Sequence, residues 1–384
     1  AARAYRDLGP GPRAAFARRL WWLADPLWSL PGNDLRTEHF ARRVASRVQR
    51  DARSPFGVRW GEDLAEITIR FGWPTGWERM RASAGRLAGA SSGVIGHDPP
   101  GERRFVPEFE AILAPFAAPP EAWPLEEDGA RATYAPAYAE RFLDLGHQLA
   151  VFRRGDSAVV VAGWSLPRDS VPVGVAVETA LVVAPDPDAA PVTARSGTVE
   201  TSGSLVLSVP WMSAVVSVEV LARDAGVAGR SRHGLPLPGR AGDRPAVSDI
   251  LLLKSSAPLP AALPAAIPLA RGSARALSGE SLGLYWEVYP PAGGPIEARF
   301  AIKLRDEQGG FWRGLKAALG LGRGGGDSAA LEWYEPIPAG VEVYPRAVLL
   351  ALPDLPAGAY TIELEVRMDG EEAVRALRPI VVTD

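Results

Sequence analysis

Hydrophobic positions follow a helical period near the start of the chain and a two-residue period later. From Pro12, the segment RAAFARRLWWLAD places Phe16, Leu20 and Leu23 at helical spacing, with Arg13, Arg18 and Arg19 largely on other faces. Pro is tolerated in a first helical turn, so the pattern predicts a helix that stops before Pro26. A second helix is predicted over DLRTEHFARRVASRVQRD, where Leu35, Phe40, Val44 and Val48 recur at helical intervals and Asn33 or Asp34 can cap the start. The two form a helical hairpin whose connection carries Trp28, Pro31 and Gly32. Trp21, Trp22 and Trp28 read as its aromatic packing, the alternative being a sugar-stacking platform. In Glu66-Ile67-Thr68-Ile69-Arg70-Phe71, β-branched residues alternate with polar ones, which predicts a short strand burying Ile67, Ile69 and Phe71. Gly72 and Pro74 would end it.

The stretch from Thr75 to Arg104 reads as irregular, Phe105 to Phe116 as one short helix or strand, and Pro119 to Ala132 as surface connection. Ala135 to Gly146 reads as a helix capped by Gly146. From Gln148 the texture becomes short β-rich runs, AVFRR, AVVVAGWSL, GVAVETALVV, SLVLSV and AVVSVEVLARD, then a loop-rich stretch from Gly226 to Arg244 and a last strand, SDILLLK. Four prolines between Ala257 and Pro268 mark a stiff, extended linker and a domain boundary. Beyond it LGLYWEVY, EARFAIKLRDE, LEWYEPI, AVLLALPD, AYTIELEVRM and RPIVV repeat the β texture. In AYTIELEVRM the apolar Tyr360, Ile362, Leu364 and Val366 share one face and Thr361, Glu363, Glu365 and Arg367 the other, which predicts a sheet wet on one side. Asp369-Gly370 is a hairpin signal. Pro172-Val-Gly174-Val175 and Pro338-Ala-Gly340-Val341 echo each other and favour two copies of one module.

The predicted fold class is therefore α+β and multidomain: a helical N-terminal region with a small β element, followed by two immunoglobulin-like antiparallel β-sandwiches. The expected domains are 1–147, 148–256 and 269–384, with 257–268 as the Pro-rich linker. A chain of 384 residues suits that count.

Net charge is -3, with no long basic run, which argues against a nucleic-acid binder. With no Cys there are no disulfides, thiolate nucleophiles, zinc ribbons or iron–sulfur clusters, and nothing in the sequence calls for a cofactor. No run reaches the ~18 apolar residues of a spanning helix. The first residue is Ala, so a removed targeting segment or a fragment is expected, and an extracytoplasmic location, periplasm or cell envelope, is favoured over the cytoplasm.

The stretch RWGEDLAEITIRFGWP, Arg59 to Pro74, resembles the GWxTD-domain family of bacterial proteins, whose signature runs approximately G-W-x-T-D-R-G-R-I-Y-I-R-Y-G-P-P. Trp60, Asp63, Ile67, Ile69, Arg70, Phe71, Gly72 and Pro74 fall on it. Arg59, Glu62, Leu64, Ala65, Glu66 and Trp73 depart from it. The helical lead-in and the β-rich tail are similar to those of such proteins more weakly. The resemblance implies a bacterial protein without an assigned chemistry.

Candidate chemistry is sparse. Gly279-Glu-Ser281-Leu-Gly283 fits a nucleophile elbow, but a strand follows it and no His lies beyond Ser281, so a turn is expected. The four histidines, His39, His97, His147 and His233, make no metal-binding spacing, although Asp34, Glu38 and His39 could meet on a helix, and His97 and His233 are expected in exposed loops. Asp186 and Asp188 suit either Ca²⁺ or a hairpin turn. The glycines from Gly320 to Gly326 suit a linker. Glu62, Asp63 and Glu66, with Trp60, Trp73 and Trp77, are the candidate site of a glycan- or peptide-acting hydrolase, which needs paired carboxyl groups across a cleft. The preferred reading is a non-catalytic interaction or structural protein of a bacterial envelope assembly, binding through Trp60, Asp63, Arg70, Trp73 and Trp77. A third reading is a carbohydrate-binding module using Trp164 and Trp211. Phe311, Trp312, Leu315 and Lys316 would form a basic amphipathic helix for a protein partner or for peripheral membrane contact.

Overall fold

The computed structural model describes Tyr5 and residues 7–52, 61–73, 76–79, 93–96, 102–126, 130–237, 245–255, 258–307 and 331–383. It is mostly β, with several sheets and a few short helices, an α+β multidomain chain. Two compact units share it: one takes Ala1–Asp144, Arg168–Val199 and Ser213–Pro236, the other Leu145–Pro167, Glu200–Met212 and Leu237–Asp384. Texture alone placed the strands of 148–256 in one module, whereas they divide between the units because sequence neighbours pair in different sheets.

In the first unit, α1 (Pro10–Ala24) and α2 (Asp34–Val48) form as expected. The Asn33 side chain accepts the Arg36 N–H at 2.9 Å, satisfying a donor that a helix start leaves open. The predicted strand at Glu66–Phe71 is instead part of a helix, α3 (Glu62–Phe71). Leu64 and Thr68, one turn apart, are its buried pair, Glu62 and Asp63 occupy the first turn where the dipole favours acids, and Glu66 pairs with Arg70 at i,i+4. Gly72, at φ 82°, supplies the left-handed stop. The alternation of Ile67, Ile69 and Phe71 was real but shorter than the helical set Leu64, Ile67, Thr68 and Phe71. An antiparallel pair, β1 (Gly76–Arg79) and β2 (Gly93–Gly96), lies within the stretch expected to be irregular. Phe109–Leu113 is a short helix, α4.

The unit's five-stranded sheet runs in the order β3 (Arg141–Asp144), β10 (Val227–Leu235), β9 (Ala214–Ala222), β6 (Val177–Ala184) and β7 (Val192–Thr198). Two expectations fail here. The end of the supposed helix 135–146 is β3, parallel to β10, and the supposed loop after Gly226 is β10 itself, with His233 half-buried in a strand. Arg, Ser and Gly disguised VAGRSRHGL because its polar side chains point inward. Between β6 and β7, the Asp186 carboxylate accepts the N–H groups of Asp188 and Ala189 at 2.8 Å, the hairpin-turn alternative.

Among the described residues the second unit holds three sheets. One is β4 (Gly146–Arg154), β5 (Ser157–Ser165) and β8 (Ser202–Pro210). Another is centred on β14 (Ser281–Tyr289), which pairs with β11 (Ala246–Val247), β12 (Leu251–Leu253) and β17 (Tyr344–Ala351). The third orders β13 (Arg275–Leu277), β19 (Val374–Thr383), β18 (Gly358–Met368), β15 (Ile296–Asp306) and β16 (Leu331–Ile337). Leu284, Trp286 and Val288 from β14 meet Phe300, Ile362 and Leu364 from β15 and β18 in one core. The polar face of β18 is less wet than its alternation suggested: Glu363 and Glu365 are buried, held by Arg305, Arg375 and Arg299. The Pro-rich stretch is not an extended spacer. It contains a helical turn, α5 (Leu263–Ala266), whose Leu263 and Ala266 are buried in a core cluster with Leu251, Leu253 and Tyr285. Gly279 turns at φ 72° and Ser281 opens β14, the expected turn. The two echo segments both turn on a left-handed glycine, Gly174 at φ 84° and Gly340 at φ 74°.

Candidate functional site

Of the residues singled out by the sequence, Glu62, Asp63, Glu66 and Arg70 fall on α3. Glu62, Asp63 and Glu66 lie exposed on one side of the first turns of α3, and Trp73 is exposed just beyond it. Arg70 sits on α3 and Trp77 in β1. Trp60, His97, the glycines of 320–326 and Phe311, Trp312, Leu315 and Lys316 lie outside the described residues. Trp164 is 2 % exposed, which leaves no open Trp164–Trp211 platform. Trp21, Trp22 and Trp28 are packed, with Trp22 and Trp28 stacked at 5.4 Å and 5°.

What the fold does assemble is a cavity of about 430 Å³ among α1, α2 and α3. Phe16, Leu20 and Trp21 enter it from α1, Leu35 and His39 from α2, and Ile69 from α3; Tyr5, Val106 and Ala132 complete its apolar wall. Its size and lining are those of a small-ligand or side-chain pocket. The charged groups at its wall are already engaged. Arg42, buried, gives its Nε to Glu38 at 2.7 Å and an Nη1 proton to the Thr133 carbonyl at 3.2 Å, while Arg70 pairs with Glu66. His39 rests on Trp21, ring centroids 5.1 Å apart, and accepts the Arg43 Nε proton at Nε2. Burial first, and the charges of Arg43 and Arg42 second, hold its pKa below the usual histidine value.

Beside α1 lies a buried polar cluster that sequence reading missed. Glu219 on β9 takes the backbone N–H groups of Trp28 and Ser29 at 3.0 and 2.8 Å and the Ser217 hydroxyl at 2.7 Å. Arg232 on β10 donates to the Leu23 carbonyl at 2.7 Å and lies 3.8 Å over the Trp28 ring, which in turn stacks on Trp22. Arg230 donates to the carbonyls of Asp25, Pro26 and Phe105. Burial pushes the Asp25 carboxyl up to about 8, against the pull of Arg232 and with the help of Asp34 and Glu219. Asp34, which accepts the Tyr134 hydroxyl at 3.1 Å, is raised by burial too, and burial raises Tyr134 and Tyr138. Perturbed carboxyls often mark catalytic sites. Here neither Asp25 nor Asp34 lines the cavity, and Arg230 and Arg232 reach the backbone carbonyls of Leu23, Asp25 and Pro26, so the cluster clamps the Ala24–Leu30 connection to the sheet. One signal was available: Ser217 and Glu219 stand two apart in an otherwise apolar strand, Arg230 and Arg232 stand two apart in the next, and the two pairs are cross-strand partners. A similar closed set in the second unit surrounds Glu287, which accepts Arg154 twice and the hydroxyls of Tyr285 and Tyr289.

Among the described residues no group of three or more His, Asp or Glu is close enough to hold a metal ion, and no helix is long and apolar enough to cross a membrane.

No family model and no curated protein matches the chain. Among solved structures it is similar to red sea bream transglutaminase, at 11% identity, 64% of this chain, 32% of that one and a TM-score of 0.19. It is also similar to the β-glucuronidase of Bacteroides uniformis, at 8% identity, 59% of this chain, 26% of that one and a TM-score of 0.23. The chain thus spans about a third of the first and a quarter of the second, and at such scores neither likeness bears on function.

Proposed function

We propose that this is a non-catalytic interaction protein and that the cavity among α1, α2 and α3 receives an apolar, uncharged group of its partner. The observation that carries this is the state of the cavity wall: aromatic and aliphatic carbon, with Arg42, Arg70 and His39 each already paired. Such a wall binds by burying apolar surface, at roughly 25 cal/mol per Å²; among the described residues its charged side chains are engaged, and the buried Thr133 hydroxyl, which has no hydrogen-bond partner, is a polar group left on it. The solvated Glu62, Asp63 and Glu66 support the same reading over the hydrolase. The GWxTD resemblance, a bacterial envelope location and an immunoglobulin-like character for the β-rich part belong to this proposal as well.

The test is a fluorescence titration of the whole chain with N-acetyltryptophanamide, paired with a cavity-filling Ala17→Trp variant. Saturable binding in the natural chain, lost in the filled variant at an unchanged melting temperature, is expected. Hydrolysis of a glycan or peptide that Asp63→Asn abolishes would overturn the reading.

A further inference from the structure

Helix α2 packs the wrong way round for its sequence. Its interior positions are Arg42 and Ser46, whereas Phe40, Val44 and Val48 are 48, 60 and 80 % exposed. These three stand four residues apart and so form one ridge about 12 Å long. On a helical wheel, Arg36, Arg43 and Arg47 run along one flank of the ridge, while Ala41 and Ala45 lie along the other. All three arginines are exposed, and among the described residues none is paired with a carboxylate. Arg43 donates its Nε proton to His39 Nε2, not to a carboxylate. The cavity residues Leu35, Glu38, His39 and Arg42 occupy the opposite side of the same helix.

We infer that this ridge is a docking surface for an acidic amphipathic helix of a partner protein. Apolar anchors at i, i+4 and i+8 are what a second helix needs to seat its own ridge, and three uncompensated cations on one flank call for carboxylates there. The one-sided charge decides between occupants. An antiparallel second copy would set Arg43 and Arg47 against their own counterparts, a like-charge contact. An anionic lipid surface draws on cations along both flanks of an apolar strip, and here one flank is alanine. The inference goes beyond the cavity reading, since it uses the other face of α2, and either can fail alone.

The experiment titrates the full chain with a designed helical peptide carrying leucines at every fourth position and glutamates beside them. Its lysine-flanked counterpart and phosphatidylglycerol vesicles are run in parallel, with Trp21, 5.9 Å from Phe40, as a fluorescent reporter. Expected is saturable binding of the glutamate peptide only, weakened about tenfold or more by Val44→Ser and by Arg43→Glu with Arg47→Glu, at unchanged melting temperatures. Val48→Ser, at the most exposed position, should act like Val44→Ser. Equal binding of the lysine peptide, binding of neither peptide, binding of vesicles alone, or a self-association removed by Val44→Ser would each overturn the inference. So would a large fall in melting temperature in both Ser variants, which would mean that the ridge is already covered.

Discussion

Arg230 stands directly across from Glu219 in the β9–β10 ladder, yet its guanidinium turns to the carbonyls of Asp25, Pro26 and Phe105, and Glu219 turns to the N–H groups of Trp28 and Ser29. Each ion is used to hold a piece of irregular backbone, so the sheet grips the connection between α1 and α2 through charge-assisted bonds. Such bonds are stronger than neutral ones, and buried charges tolerate no vacancy.

Removing one member should therefore be costly. Arg232→Ala leaves Glu219 with a buried, less compensated charge, strips the Trp28 ring of its cover and orphans the Leu23 carbonyl. A loss of about 3–5 kcal/mol is expected in urea unfolding. A change within ~0.5 kcal/mol would mean that the cluster is solvated in solution.

Asp25 makes stability depend on pH in a definite direction. Its folded pKa, pushed up to about 8, lies above the ordinary 3.8, so the folded state holds a proton that the unfolded chain releases. Its contribution is complete below about pH 4 and is lost as pH rises through about 8. Asp25→Asn keeps the neutral shape and should flatten the decline between pH 5 and 8, making the variant more stable than the natural chain at pH 8 by on the order of a few kcal/mol. Parallel curves for the two proteins would contradict a buried neutral Asp25.

Gly234 and Gly163 are held by close backbone approach. A Cβ at Gly234 would run into the Phe116 carbonyl and one at Gly163 into the Arg271 carbonyl, whereas one at Gly197 meets nothing within 4 Å. Gly234→Ala and Gly163→Ala should each cost about 1–3 kcal/mol, and Gly197→Ala should be neutral or slightly stabilising. Equal melting temperatures for all three would show that the backbone yields freely.

The sequence made α1, α2 and most of the C-terminal strands legible as elements, because their apolar periods run long enough to outvote local noise, although Phe40, Val44 and Val48, which marked α2, are exposed and Arg42 and Ser46 are its buried positions. It misplaced several elements, β3 at the end of the supposed helix 135–146 among them. In α3 two overlapping periods competed, in β10 inward-facing Arg230 and Arg232 read as loop, and at 258–268 proline content hid a packed turn. The cavity was half visible: Phe16, Leu20, Trp21 and Leu35 were expected to pack, but that they pack around a space follows from the path of α3 and of residues 132–133, which no local pattern specifies. The clamp's charged pairs on β9 and β10 left a signal, but their grip on residues 23–29 was invisible because those partners lie about two hundred residues away.

The most direct test of the account is a comparison of indole with indole-3-acetate as ligands for the cavity, by calorimetry at low and physiological salt. With Arg42 engaged by Glu38 and Thr133, and Arg70 by Glu66, the account predicts that neutral indole binds at least as tightly as the anion and that salt has little effect. Tighter binding of indole-3-acetate by about tenfold or more, fading as salt is added, would show that an arginine is free to receive a charge and would contradict an uncharged, non-catalytic binding site.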